Sequence, residues 1–228
     1  MAPAGRRWLL VGALEAETSP IVARLQGATP AAPAGWDHVA TWGSAKGEIR
    51  QPVEFLSGDL DGVPVSVLTV GVGPANAERY TRHALEAMHP EVPVGVVSFG
   101  TCGSLVDSLR AGDVVTATAL LVEGASGTEQ RLQMQPVGRK LRQVAMATCR
   151  VPVRCPPAHR AVAAPATPQG GDPPLAVCVC VCVCVCVRAR SQVFDPERRS
   201  ALASVGCEVC EMEGDGVLRA GAIRGKQR

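Results

Sequence analysis

Apolar residues run from Trp8 through Leu14, and Glu15-Ala16-Glu17-Thr18 then opens a segment in which Ile21, Val22 and Leu25 recur on one helical face. This pattern predicts a buried strand over 7–14 that ends at a pair of carboxylates and passes into a helix. The Ala-, Pro- and Gly-rich stretch from Gly27 to Gly47 reads as a loop. Val53 to Ser57 and Val63 to Thr69 are short β-rich runs, and Asp61-Gly62 between them is the signal of an antiparallel hairpin. After the glycine turn Gly71-Val72-Gly73, Pro74 sets the start of a helix over Ala75 to Met88, with Ala77, Tyr80, Ala84 and Leu85 at helical spacing. Val94 to Phe99 reads as a strand buried on both faces, followed by a turn over Gly100-Thr101-Cys102-Gly103-Ser104, and Asp113 to Ala119 reads as a further strand. A helix resumes from Asp195 through Leu202, and Val205 to Met212 is extended.

Strand, glycine turn and helix alternate, which predicts an α/β domain with a mixed, mainly parallel central sheet flanked by helices. Ligands in such sheets gather at the carboxyl ends of strands, and the turns at Glu15–Glu17, Gly71–Gly73 and Gly100–Ser104 all fall there. Residues 131–190 follow another grammar, with Pro152, Pro156-Pro157, Pro165, Pro168, Gly170-Gly171 and Pro173-Pro174, then strict Val-Cys alternation up to Val187. A GT dinucleotide repeat read in one frame encodes Val-Cys without end, so this stretch is expected to be a disordered low-complexity insert outside the core. The domain is then discontinuous, over 7–125 and 192–224.

The chain has 228 residues, 46% of them hydrophobic, enough for one α/β domain with a sizeable core. Its 23 basic and 21 acidic residues leave a formal net charge of +2, too little to draw it to nucleic acid or a membrane surface. Aromatic residues at 3% do not supply a base-stacking platform for single strands. Arg6-Arg7 before an apolar run has the outline of a signal peptide, but the run stops at Glu15 without a small-residue cleavage pattern. No stretch has the length needed to cross a bilayer, and the expectation is a soluble, cytoplasmic protein. Five of the ten cysteines, Cys178 to Cys186, occupy alternate positions of one tract, a repeat and not a disulfide framework. Thiolates along one strand face would suit zinc or copper(I), yet no histidine accompanies them at ligand spacing, so no metal site is expected. Gly71-x-Gly73 has Asn76 where a dinucleotide fingerprint needs its third glycine.

Four segments together resemble the nucleoside phosphorylase and nucleosidase family, above all its methylthioadenosine/S-adenosylhomocysteine nucleosidase-like members. They are Val11-Gly12-Ala13-Leu14-Glu15-Ala16-Glu17, Val70-Gly71-Val72-Gly73, the piece from Val96 through Gly100-Thr101-Cys102-Gly103-Ser104 to Val115, and Cys210-Glu211-Met212-Glu213-Gly214. The resemblance implies a three-layer phosphorylase/hydrolase-like fold that hydrolyses the N-glycosidic bond of a purine nucleoside, with a small-molecule nucleoside as partner, no cofactor and possible homodimers. Such cleavage passes through an oxocarbenium-like sugar and needs a carboxylate to activate water, a grip on the ribose hydroxyls and an acid for the departing base. By resemblance Glu17 is the catalytic carboxylate; from composition alone it is a helix first-turn acid favoured by the dipole. Glu213 takes the ribose 2′- and 3′-hydroxyls, since one carboxylate accepts both. Met212 packs on the sugar or fills the core. Thr101 holds ribose and water or caps a turn. Gly73 and Gly100 lie in ligand-facing turns. Arg224 matches an Arg that the family follows with a base-protonating Asp, and residues 225–228 contain no acid. Asp215, two residues past Glu213, is a poor substitute, and a chain lacking that acid is expected to be slow or inactive. Carboxylates at the end of the first strand repel phosphate, which favours hydrolysis over phosphorolysis. A non-catalytic nucleoside binder is the other reading.

Overall fold

The computed structural model describes residues 7–33, 36, 39–44, 47–89, 93–123, 129–133, 142–148, 179–187 and 196–225. Strand β1 (Trp8–Gly12) leads into helix α1 (Glu15–Val22), followed by β2 (Gln26–Pro30), β3 (Val39–Ser44), β4 (Gly47–Pro52), β5 (Glu54–Leu60) and β6 (Val63–Thr69). Helix α2 (Pro74–Ala87) then precedes β7 (Gly95–Ser104), β8 (Val114–Glu123), β9 (Glu129–Gln133), β10 (Arg142–Thr148) and β11 (Val179–Val187). Helix α3 (Pro196–Ser204), β12 (Val209–Glu211) and α4 (Gly214–Gly225) complete the described chain.

The fold is the α/β arrangement expected: one mixed sheet carries helices, and its central strands are parallel. β1 lies between β6 and β7, parallel to both, which explains why it is apolar on both faces. Leu9, Val11, Leu68, Val70, Val96 and Tyr80 are buried together around it. β5 and β6 form the antiparallel hairpin, and Asp61 and Gly62 both take positive φ (51° and 84°), as its two-residue turn requires. Among the described residues no helix is long and apolar enough to cross a membrane.

Two expectations need correction. The stretch 27–47 is not simply a loop: β2 pairs antiparallel with β5, and β3 and β4 make a hairpin of their own. That hairpin buries Ala40 and brings Trp42 against the main core, so packing outweighs the Ala, Pro and Gly content. Second, β7 does not turn at Gly100 but runs on to Ser104. Within 131–190 the described residues are the end of β9 together with β10 and β11, all sheet strands, and the other residues of that range lie outside the described set. β11, the Val-Cys tract, pairs along its whole length with β7, from Val179 beside Gly95 to Val187 beside Gly103, and antiparallel with β8. Alternating β-branched valine is a good strand former, whatever the origin of the repeat. With β8–β10, β10–β12 and β12–β7 also paired, β7, β11, β8, β10 and β12 close into a ring. Closure leaves these five strands without an open edge.

α2 and α4 pack closely because α4 has Gly216 at their contact. A Cβ there would overlap the Pro74 carbonyl oxygen and sit 2.7 Å from the Glu78 nitrogen, backbone atoms with no freedom to move aside. Gly216→Ala is expected to destabilise the fold by about 1–3 kcal/mol through overpacking. A thermal unfolding midpoint equal to or above that of the parent chain would contradict this contact.

Candidate functional site

The carboxyl ends of β1 and β6 and the middle of β7 lie side by side, because the three strands are parallel and in register. Each delivers part of the site. Glu17 stands in the first turn of α1, five residues beyond the end of β1. Its Oε2 accepts the backbone N–H groups of Ala13 and Leu14, both at 3.0 Å. Both are free donors at the start of a helix, so Glu17 performs the reaching-back half of a capping box. Its Oε1 accepts the Thr101 N–H at 2.7 Å and the Thr101 hydroxyl at 2.9 Å. One carboxylate thus joins the β1–α1 turn to β7, and its position is fixed by four donors.

Gly100 explains why β7 passes so close. A Cβ on it would lie 2.8 Å from Glu17 Oε1 and 3.0 Å from both Cδ and Oε2. The glycine is needed for the approach of the carboxylate, not for a turn. Gly12 is similarly crowded, by Thr18 and by the Phe99 ring, so Phe99 packs behind the β1 turn.

The opposite side of the site comes from β12 and α4. β12 pairs with the end of β7, Cys210 beside Gly103, and Met212 and Glu213 follow two and three residues later. Glu213 Oε1 accepts the Gly73 N–H at 2.9 Å. Gly73 has a φ of 101° and is the N-cap of α2, a backbone conformation that favours glycine. Burial pushes the Glu213 carboxyl up from its ordinary 4.5 to about 8; the neighbouring charges of Glu211 and Glu17 add to this, and the Gly73 and Met212 N–H groups oppose it.

Glu17, Thr101, Gly100, Gly73 and Glu213 are therefore brought together. Met212 is half-buried between β12 and α4. Arg224 lies in the last turn of α4, whose axis carries its backbone about 15 Å from Gly214. The residue that sequence reasoning undervalued is Glu211, buried at 7% exposure. Its Oε2 accepts the N–H groups of Glu213 and Gly214 at 2.6 and 2.7 Å. The available signal was a carboxylate just before a glycine at a strand-to-helix junction. Asp215 is buried and paired with Arg219 at 2.8 Å, so it is committed to α4. A cavity of about 300 Å³ lined by Arg7, Phe55, Ser57, Ser66, Met88 and His89 opens at the other end of the strands and shares no residue with this group. Among the described residues no three His, Cys, Asp or Glu side chains gather to hold a metal ion.

The raised Glu213 has a consequence for stability. A carboxyl that binds its proton more tightly when folded stabilises the fold fully below about pH 4.5, and this contribution is lost as pH rises through about 8. Urea unfolding at pH 5, 6.5 and 8 is expected to show a decline that Glu213→Gln flattens. An identical pH slope in the two proteins would contradict the assignment.

Residues 10–227 match the family model of the phosphorylase superfamily. The chain belongs to that superfamily. A 5′-methylthioadenosine/S-adenosylhomocysteine nucleosidase of Geobacillus kaustophilus is 30% identical over 106 residues, 46% of this chain and 37% of the relative. One from Shewanella sp. is 28% identical over 109 residues, 48% of this chain and 38% of the relative. The chain thus spans less than two fifths of the length of these curated relatives. Among solved structures, the S-adenosylhomocysteine nucleosidase of Streptococcus pyogenes, in complex with 5-methylthiotubericidin, superposes with a TM-score of 0.60 at 14% identity. That match covers 99% of this superfamily member and 81% of the other chain. A futalosine hydrolase mutant of Helicobacter pylori gives 0.58 at 15% identity, covering 97% and 81%. At such identities the structures speak for the fold, and they agree with the α/β arrangement described above.

Proposed function

We propose that this superfamily member is a cytoplasmic nucleosidase, its site residues drawn from 7–125 and 192–224, that hydrolyses the N-glycosidic bond of a purine nucleoside such as methylthioadenosine or adenosylhomocysteine. The observation that carries the reading is the placement of Glu17 on Thr101 with Glu213 opposite, where the carboxyl ends of β1 and β6 lie beside the middle of β7. Glu17 is the group to draw a proton from water. Its four lone-pair directions are taken by protein donors, and three of these are backbone N–H groups. The fourth, the exposed Thr101 hydroxyl, is a rotor, and its turning away leaves Oε1 open to a water molecule. Glu213 receives the ribose 2′- and 3′-hydroxyls, and Met212 packs beside the sugar.

Water is preferred to phosphate as nucleophile. The Gly73 N–H at the start of α2, a ready anion donor, already serves Glu213, and the carboxylates around it repel a second anion. The occupied lone pairs of Glu17 favour one second reading, a nucleoside binder without catalysis. Incubating the protein with methylthioadenosine, adenosylhomocysteine or inosine, with and without phosphate, and separating the products by chromatography tests both. Free base with free ribose product, independent of phosphate, is expected. Sugar 1-phosphate would show phosphorolysis, and thermal stabilisation by a nucleoside without any product would show the binder. The absence of both product and stabilisation would sink the proposal.

A further inference from the structure

Glu211 ends β12, where its backbone pairs beside Thr148 of β10. A buried carboxylate is costly unless it is well hydrogen-bonded. Here Oε2 takes the N–H groups of Glu213 and Gly214, which lie at the start of α4 and lack partners within the helix. Glu213 is consequently held at two points, its backbone by Glu211 and its carboxyl by the Gly73 N–H of α2. Among the described residues the charges acting on Glu213 are Glu211 from β12 and, more weakly, Glu17 from α1, both negative. Asp215, its neighbour on α4, is neutralised by Arg219.

We propose that Glu211 is a positioning residue: its buried carboxylate aims Glu213 and keeps a negative charge beside it, so that capture of a ribose diol expels one proton from Glu213 to solvent. A diol donates two hydrogen bonds and needs an acceptor, whereas a protonated carboxyl has lost one of its acceptor positions to the proton. Binding therefore ionises Glu213, and Glu211 sets how readily it does so. The choice of ligand rests on the nucleosidase reading; the titration of Glu213 in the empty protein does not.

Two variants separate the two parts of the role. Glu211→Gln keeps a carbonyl oxygen for both N–H groups and removes the charge, while Glu211→Ala removes both. Carboxyl ¹³C NMR of the ligand-free protein, with the Glu213 signal assigned by its loss in Glu213→Gln, is expected to give a midpoint near 8 in the parent chain. In Glu211→Gln the midpoint should fall to about 7 or lower. An unchanged midpoint overturns the charge role, with or without a ligand. Calorimetry with a non-hydrolysable methylthio-nucleoside analogue, at pH 7 in two buffers of different ionisation enthalpy, should show about one proton released by the parent chain and clearly fewer by Glu211→Gln. At pH 9, Glu211→Gln should bind within about threefold of the parent and folded Glu211→Ala at least about tenfold more weakly. Equal affinity of Glu211→Ala and the parent overturns the aiming role. If the midpoint moves but no variant binds the analogue, the nucleosidase reading fails and takes the ribose coupling with it.

Discussion

Glu17→Gln is expected to lower kcat for nucleoside hydrolysis by about 10²–10⁴-fold, the range lost when a positioned general base is removed. The amide cannot take a proton from water. It also brings two N–H donors to a place ringed by donors: Ala13 and Leu14 on one oxygen, Thr101 on the other. Whichever way the amide turns, one side faces donors, so a moderate loss of stability should accompany the loss of rate. Nucleoside affinity should change far less, since the proposed ribose contact belongs to Glu213. Steady-state kinetics with a parallel binding measurement check this, and a kcat within threefold of the parent would remove Glu17 from the chemistry.

Gly100→Ala should do comparable damage without altering any functional group. The added methyl carbon would lie 2.8 Å from Glu17 Oε1, and β7 is held on either side by β1 and β11, so the carboxylate has to move. A displacement of about 1 Å of a reacting group costs on the order of 10²-fold in rate. The double variant Gly100→Ala with Glu17→Gln should be little worse than Glu17→Gln alone, because both act through one carboxylate. Fully multiplicative losses would show that Gly100 acts on something else.

Where pattern and local chemistry agree, the sequence was readable. The apolar run into β1, the Asp61-Gly62 hairpin and Pro74 at the head of α2 each follow from backbone preferences that tertiary structure did not overrule. Gly100 was legible as important and misread in kind. A glycine that admits a side chain and a glycine that admits a turn look alike until the partner, Glu17, is in place. The β3–β4 hairpin was hidden because its value lies in covering Tyr80 and Val70, residues remote in sequence. The Val-Cys tract has a clear strand period, but its low complexity suggested exclusion from a sheet in which it pairs with both β7 and β8. Glu17, Thr101 and Glu213 were named from motifs, and their common location depends on the parallel register of β1 and β7 and on the β12–β7 pairing. Glu211 was passed over because its hydrogen-bond partners are backbone groups, which no residue pattern displays.

In the proposed reading Glu17 and Glu213 face one nucleoside from two sides. A crystal structure of the protein with a non-hydrolysable methylthio-nucleoside analogue tests it most directly. The expected result places both ribose hydroxyls within hydrogen-bond reach of Glu213 and a water between Glu17 and the anomeric carbon. An analogue bound elsewhere, or a ribose that touches neither carboxylate, would contradict it.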